Sequence, residues 1–103
     1  MFGWLDFKDV DAFADGVVAD LLKRSPPAGM QMPAKKAAER LRRGQDVIFA
    51  RAEAYAREQK PGFYRKARLG NRVRWALREA GYEPEFADIL SEELVATITL
   101  ASR

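Results

Sequence analysis

The sequence predicts an all-α protein, a compact bundle of four helices, or of five if the second helix breaks. Two observations support this fold class. Apolar residues recur every three or four positions in four segments, and prolines and glycines separate those segments. No pair of segments has the alternating pattern of strands, so a sheet is not expected. We therefore expect residues 1–103 to form a single helical domain.

The first helix is predicted over residues 6–24, where Val10 and Leu21 mark the ends of one apolar side. Asp6 is a suitable N-cap, since its carboxylate can accept from a free backbone N–H. Two consecutive prolines, beginning at Pro26, end the helix because proline lacks the N–H donor and restricts the residue before it.

The second helix is predicted from Ala34 to Gln59 as one long element with an apolar stripe. Gly44 is its weak point, because glycine costs about 1 kcal/mol relative to alanine inside a helix. A kink or a division into two helices near Gly44 is the alternative.

The third helix is predicted from Phe63 to about Ala80, with Gly81 as its C-terminal cap. The fourth begins near Pro84, a residue that suits the first helical turn. Its tail is rich in β-branched residues, but the chain offers no second strand for it to pair with, so helix is the better prediction. Four large residues, two from the second predicted helix and one each from the third and fourth, are expected in the core: Leu41, Ile48, Leu77 and Leu90.

Composition disfavours several classes of site. The chain has no cysteine, which rules out disulfides and thiolate metal sites and favours the cytoplasm. It has no histidine, so the commonest general base and the commonest metal ligand are missing. No phosphate-binding glycine pattern is present. We expect no enzymatic activity, no cofactor and no metal site.

Nothing in the sequence predicts a membrane protein. No apolar stretch approaches the roughly 18 residues of a membrane-spanning helix. The first residues lack a basic n-region, and Asp6, Lys8 and Asp9 interrupt their apolar run, which does not suit a signal peptide. A soluble cytoplasmic protein is expected.

Acidic residues near the N-terminus resemble part of a calcium-binding loop, with Asp9, Asp11 and Asp15 followed by Gly16. An EF-hand needs glycine at the sixth position of the loop, and Ala14 stands there. The apolar spacing fits a helix better, so we interpret the segment as helix.

Charge is distributed unevenly along the chain. The net charge is −4 over residues 1–22, +12 over residues 23–78 and −5 over residues 79–103. Two interpretations stay open. Acidic end helices can pair with basic middle helices inside the fold, or the middle helices can present a positive surface to an anionic partner.

The most informative segment is FYRKARLGNRVRWALR, residues 63–78. A helical projection centres its apolar side between Leu69 and Val73 and places aromatic residues opposite, framed by arginines. Such a face can stack bases, bind phosphates or anchor a protein partner. The alternative is that a neighbouring helix covers it, since tryptophan is more often packed than exposed. The candidate partner-binding residues are Tyr64, Arg68, Asn71, Arg72, Trp75 and Arg78.

A second basic run, KKAAERLRR, occupies residues 35–43. Glu39 can pair with Lys35 or Arg43 at the i,i+4 spacing, and such runs are usually solvated faces. We interpret this run as a solvated face.

Two weaker patterns concern assembly and the first loop. Ala12, Gly16 and Ala19 form a stripe of small residues that permits close helix approach, for example in a homo-oligomer. Met30 and Met32 would either form an adaptable contact or cover the core.

These patterns predict a small non-enzymatic interaction or accessory protein whose partner is a macromolecule, in the first place a protein, bound through the basic and aromatic helix face. The main alternative is a nucleic-acid-binding protein that uses the basic middle helices. The turn at residues 60–62 before an arginine-rich helix loosely resembles a helix-turn-helix, although the 26-residue preceding helix is too long unless Gly44 divides it. Exposure of Trp75 would favour a binding face.

Overall fold

The computed structural model of the protein describes residues 7–27, 32–43 and 47–102. The helices in these ranges are α1 at Lys8–Arg24, α2 at Ala34–Arg43, α3 at Val47–Gln59, α4 at Phe63–Glu79 and α5 at Pro84–Ala101. No strand occurs within the described ranges. The predicted all-α bundle is confirmed, and the β-branched tail of the last helix is helical as expected.

The predicted second helix is two helices. α2 ends at Arg43 and α3 begins at Val47. Residues 44–46, and with them Gly44, lie outside the described residues. The described helices agree with the alternative of two helices in this range. Each of the two helices packs on α5 and so has a buried side.

Helix α5 is the centre of the bundle. It packs against α2, α3 and α4, whereas α1 packs against α4 and α3. Burial by three neighbours requires apolar residues around much of the helix circumference. The buried residues of α5 accordingly lie on several sides: Phe86, Ala87, Leu90, Ser91, Leu94, Thr97 and Ile98.

The predicted core is confirmed at three of its four positions. Ile48, Leu77 and Leu90 are at most 1% exposed. Leu41 is only half-buried at the edge of the core. It lies in the last turn of α2, a short helix that meets the core mainly through small alanines, so it reaches less far into the bundle.

The turn between α4 and α5 fixes the end of α4. Gly81 adopts φ +104°, which glycine tolerates best, and the N–H of Tyr82 donates to the carbonyl of Leu77 at 3.0 Å. The C-cap is Ala80, and Gly81, the predicted cap, lies one residue after it, in the position where a glycine with positive φ commonly ends a helix. Tyr82 is buried, and its hydroxyl donates to the carbonyl of Ser25 at 2.6 Å, joining this turn to the end of α1. Burial raises the pKa of Tyr82 to about 12.

The start of α1 is described only from Phe7, which occupies the N-cap position without a side-chain cap. Asp6, the predicted N-cap, lies outside the described residues. In the part of the chain that the structure describes, no helix is both long enough and apolar enough to cross a bilayer.

Candidate functional site

The candidate site is the outer side of α4. Leu69, Val73 and Leu77 point into the core and are at most 1% exposed. The opposite side is open: Tyr64 is 74% exposed and Trp75 is 54% exposed, so no described helix covers them. The predicted orientation of α4 is confirmed, and the packing alternative for Trp75 is wrong. We use the term α4 face for Tyr64, Arg68, Asn71, Arg72, Trp75 and Arg78.

Two arginines of the α4 face are held by α1. Arg68 donates through Nε and Nη2 to the carboxylate of Asp11 at 3.1 and 3.0 Å. Arg72 donates through the same two atoms to Asp15 at 3.1 and 2.9 Å. Both acids and both arginines are spaced four residues apart, so the two helices pair them in register. Such bidentate pairs also fix the orientation of the guanidinium groups.

The ion pairs between α1 and α4 favour the charged forms of their side chains. The hydrogen bond that Arg68 donates to Asp11 lowers the pKa of this carboxyl group, and the charge of Arg72, 3.5 Å away, lowers it further. Asp15 in turn raises the pKa of Arg72. The first of the two interpretations of the charge pattern was that acidic end helices pair with basic middle helices. This pairing is present between α1 and α4.

The third arginine of the face connects α4 to α5. Arg78 donates through Nη2 to Asp88 at 3.0 Å, and its guanidinium lies 5.0 Å from the ring centroid of Trp75. Arg74 contacts the same carboxylate at 3.9 Å. A guanidinium over the indole face is a favourable cation–π arrangement. It orders Trp75 from one side and leaves its remaining surface open.

A shallow cavity of about 450 Å³ lies beside Trp75. Its charged lining is balanced, with two arginines and two carboxylates. The lining residues are Asp15, Arg68, Asn71, Arg72, Trp75, Ala76 and Glu79. Four of the six residues of the α4 face line this one cavity. Tyr64 lies further toward the start of α4, and Arg78 contacts Trp75 from outside the cavity lining.

Sequence reasoning missed Phe63, the most exposed large apolar residue of the described chain at 76%. It packs edge-on against Tyr64, with ring centroids 5.5 Å apart. Phe63 is the first residue of α4, where few neighbours can cover a side chain. Its place directly after the Lys60–Gly62 turn was the signal that could have identified it.

The weaker sequence patterns have structural explanations. A methyl group added to Gly16 would lie 3.1 Å from the guanidinium of Arg51, which pairs with Asp20. The centre of the small-residue stripe therefore accommodates an arginine of α3. Ala12 and Ala19 on the same stripe are exposed. Met32 is half-buried against the core, and Met30 lies outside the described residues.

The segment that resembled a calcium loop is helical, as interpreted, and forms part of α1. Asp11 and Asp15 accept from arginines instead of converging on one point. Within the described ranges, no group of three or more potential ligand side chains could hold a metal ion.

The helix-turn-helix resemblance does not extend to the packing. α3 is 13 residues long, short enough for such a unit, but α3 and α4 do not pack side by side. α4 packs instead on α5 and α1. No protein-family model, curated protein or solved structure matches the chain, so the geometry of the site is the basis for its function.

Proposed function

We propose that the protein is a small non-enzymatic interaction module that binds a protein partner through the α4 face, with Trp75 as the anchor. The observation that carries the proposal is the 54% exposure of Trp75 beside a cavity of about 450 Å³. Tryptophan, tyrosine and arginine are the residues most enriched among energetic hot spots of protein interfaces. The lack of cysteine favours the cytoplasm as the place of this interaction.

The state of the arginines supports a protein partner over nucleic acid at this face. Arg68 and Arg72 each donate two hydrogen bonds to a carboxylate, so a phosphate would have to displace Asp11 or Asp15. Glu79 adds another negative charge to the cavity lining. Nucleic-acid binding is driven by cationic side chains that neutralise phosphates and so release the counterions condensed on the nucleic acid. Guanidinium groups that are already paired with carboxylates neutralise phosphates poorly.

Preorganisation also supports the proposal. Arg78 contacts the indole of Trp75 and is itself held by Asp88, so the anchor has limited freedom before a partner arrives. Binding then costs less side-chain entropy than it would for a freely rotating aromatic residue. Tyr64 and Phe63 extend the apolar surface toward the start of α4.

The test compares binding by wild type, Trp75→Ala and Leu100→Ala. Leu100 is a matched control because it is 57% exposed but lies near the end of α5 and not on α4. Proteins captured from the native cell extract by wild-type bait are identified, purified and titrated by calorimetry. We expect Trp75→Ala to weaken binding by about 2 kcal/mol or more, roughly 30-fold, while Leu100→Ala has little effect.

The salt dependence of the same titration separates the two partner classes. A partner docked on Trp75 should lose little affinity between about 50 and about 200 mM salt. If every captured protein binds Trp75→Ala and Leu100→Ala with wild-type affinity, the α4 face is not the binding site.

A further inference from the structure

The outer side of α2 is a second charged surface, separate from the α4 face. The ten residues of α2 include five basic side chains and one acidic one. Lys35, Lys36 and Arg40 are exposed, whereas Ala34 and Ala37 on the other side are buried. The short alanines bring α2 close to α5 and leave its cationic side facing solvent.

These cations differ from the arginines of α4 in their surroundings. Within the described ranges, neither Lys35, Lys36 nor Arg40 forms a salt bridge, and neither does Glu39, the one acid of the helix. The i,i+4 pair between Glu39 and Lys35 that the spacing allowed is therefore not formed. Three positive charges on adjacent turns remain available to a ligand.

Two further cations, Lys23 and Arg24, are exposed in the last turn of α1. They belong to a different helix and are not part of the α2 surface. We use the term α2 ridge for Lys35, Lys36 and Arg40.

We propose that the α2 ridge binds the phosphate backbone of a nucleic-acid duplex without reading its base sequence. A helix of ten residues is about 15 Å long, and a DNA duplex carries one charge for about every 1.7 Å of its axis. Two unpaired lysines and one unpaired arginine on the outer side of one helix can therefore face several phosphates at once. Phosphate contacts of this kind position a protein but carry no sequence information.

Other polyanionic partners fit the α2 ridge less well. A helix that binds a membrane surface inserts its apolar side, but the apolar side of α2 is already packed on α5. Protein interfaces are depleted in lysine and depend on aromatic anchors, and α2 has two lysines and no aromatic residue. Nucleic acid needs only the cations that α2 presents.

The test measures binding of a fluorescently labelled DNA duplex of two helical turns by anisotropy, from about 50 to about 200 mM salt. Lys35→Gln/Lys36→Gln removes two phosphate contacts and should make the log–log salt slope shallower by about 1.8. Adding Arg40→Gln should bring the change to about 2.7.

Arg57→Gln/Lys60→Gln is the matched control, because it lowers the net charge equally at exposed positions at the end of α3. This control and Trp75→Ala should both bind the duplex like wild type, which also separates the α2 ridge from the proposed function of the α4 face. Thermal melts followed by circular dichroism confirm that each variant is folded.

Three results would overturn the inference. One is no duplex binding by wild type at about 50 mM salt, where electrostatic attraction is strong. Another is an equal change of slope in the ridge variant and in Arg57→Gln/Lys60→Gln. The third is binding to anionic lipid vesicles or to polyglutamate as tight as binding to the duplex.

Discussion

Helices α2 and α4 have similar charge but different surroundings. Five of the ten residues of α2 are basic, and six of the seventeen residues of α4 are basic, with one acid in each helix. On α4, Arg68, Arg72 and Arg78 each donate to an aspartate of another helix. On α2, Lys35 and Lys36 are exposed without such a partner in the described part of the chain.

The difference shows that the positive charge of a helix does not reveal whether its cations are available to a ligand. Neighbouring carboxylates decide this, and they come from helices distant in sequence. The pairs Asp11–Arg68 and Asp15–Arg72 each span 57 residues. A paired arginine contributes geometry and stability, whereas an unpaired lysine contributes attraction for anions.

The largest expected effect concerns the inner sides of the two helices. Leu77 of α4 is fully buried, so Leu77→Ala should lower the free energy of unfolding by about 2–5 kcal/mol through lost transfer energy and cavity formation. Leu41 of α2 is half-buried, so Leu41→Ala should cost less. Urea denaturation measures both. Equal losses at the two positions would show that α2 is anchored as deeply as α4.

Much of this fold was predictable from local patterns. The spacing of apolar residues placed the buried side of α4 correctly, and Gly81 marked its end, because both depend on neighbours within one helical turn or two. The same projection placed Trp75 opposite the buried side but left open whether a neighbouring helix covers it.

Which acidic residue pairs with which arginine could not be predicted as well as the helices could. The matching four-residue spacings of Asp11 with Asp15 and of Arg68 with Arg72 permit the observed register, but they permit pairing with other basic residues equally well. The contact of Tyr82 with Ser25 depends on the route of the loop after α1, which no local pattern specifies.

A smaller effect is expected at Tyr82, which follows α4, bonds to the end of α1 and lines the cavity beside α2. Tyr82→Phe removes one hydrogen bond and should cost about 1 kcal/mol. Folding raises the pKa of Tyr82 from 10.0 to about 12. The contribution of the neutral Tyr82 side chain to the free energy of unfolding is therefore fully present below pH 10 and is lost as the pH rises toward 12.

Urea denaturation from neutral pH to about pH 12 measures this effect. Stability of wild type should fall more steeply above pH 10 than that of Tyr82→Phe. Parallel curves for the two proteins would mean that Tyr82 ionises as readily in the folded state as in the unfolded chain.

The comparison of α2 and α4 can also be tested on stability alone. Arg68→Gln/Arg72→Gln leaves Asp11 and Asp15 without their partners and should lower the unfolding midpoint in urea. Lys35→Gln/Lys36→Gln removes the same charge from α2 and should leave the midpoint nearly unchanged, since no described contact is lost. If the two double variants behave alike, the arginines of α4 do not hold α1.

The smallest expected effect is a loss of stability at acidic pH. The folded state lowers the pKa of Asp11 below 3.8, so its contribution to stability is present above about pH 3.8 and is lost as the pH falls through its folded pKa. The midpoint of Asp11→Asn should therefore fall less than that of wild type between neutral pH and about pH 3. An identical fall in both proteins would contradict the assigned pair with Arg68.

The accessibility of Trp75 is the central claim, and tryptophan fluorescence tests it directly. The chain has two tryptophans, so Trp4→Phe leaves Trp75 as the only tryptophan, which is excited selectively at a wavelength that tyrosine does not absorb. An indole that is 54% exposed should emit near the wavelength of a solvated tryptophan and be quenched efficiently by acrylamide. Short-wavelength emission that acrylamide barely quenches would show that Trp75 is packed, and would contradict the account of the α4 face.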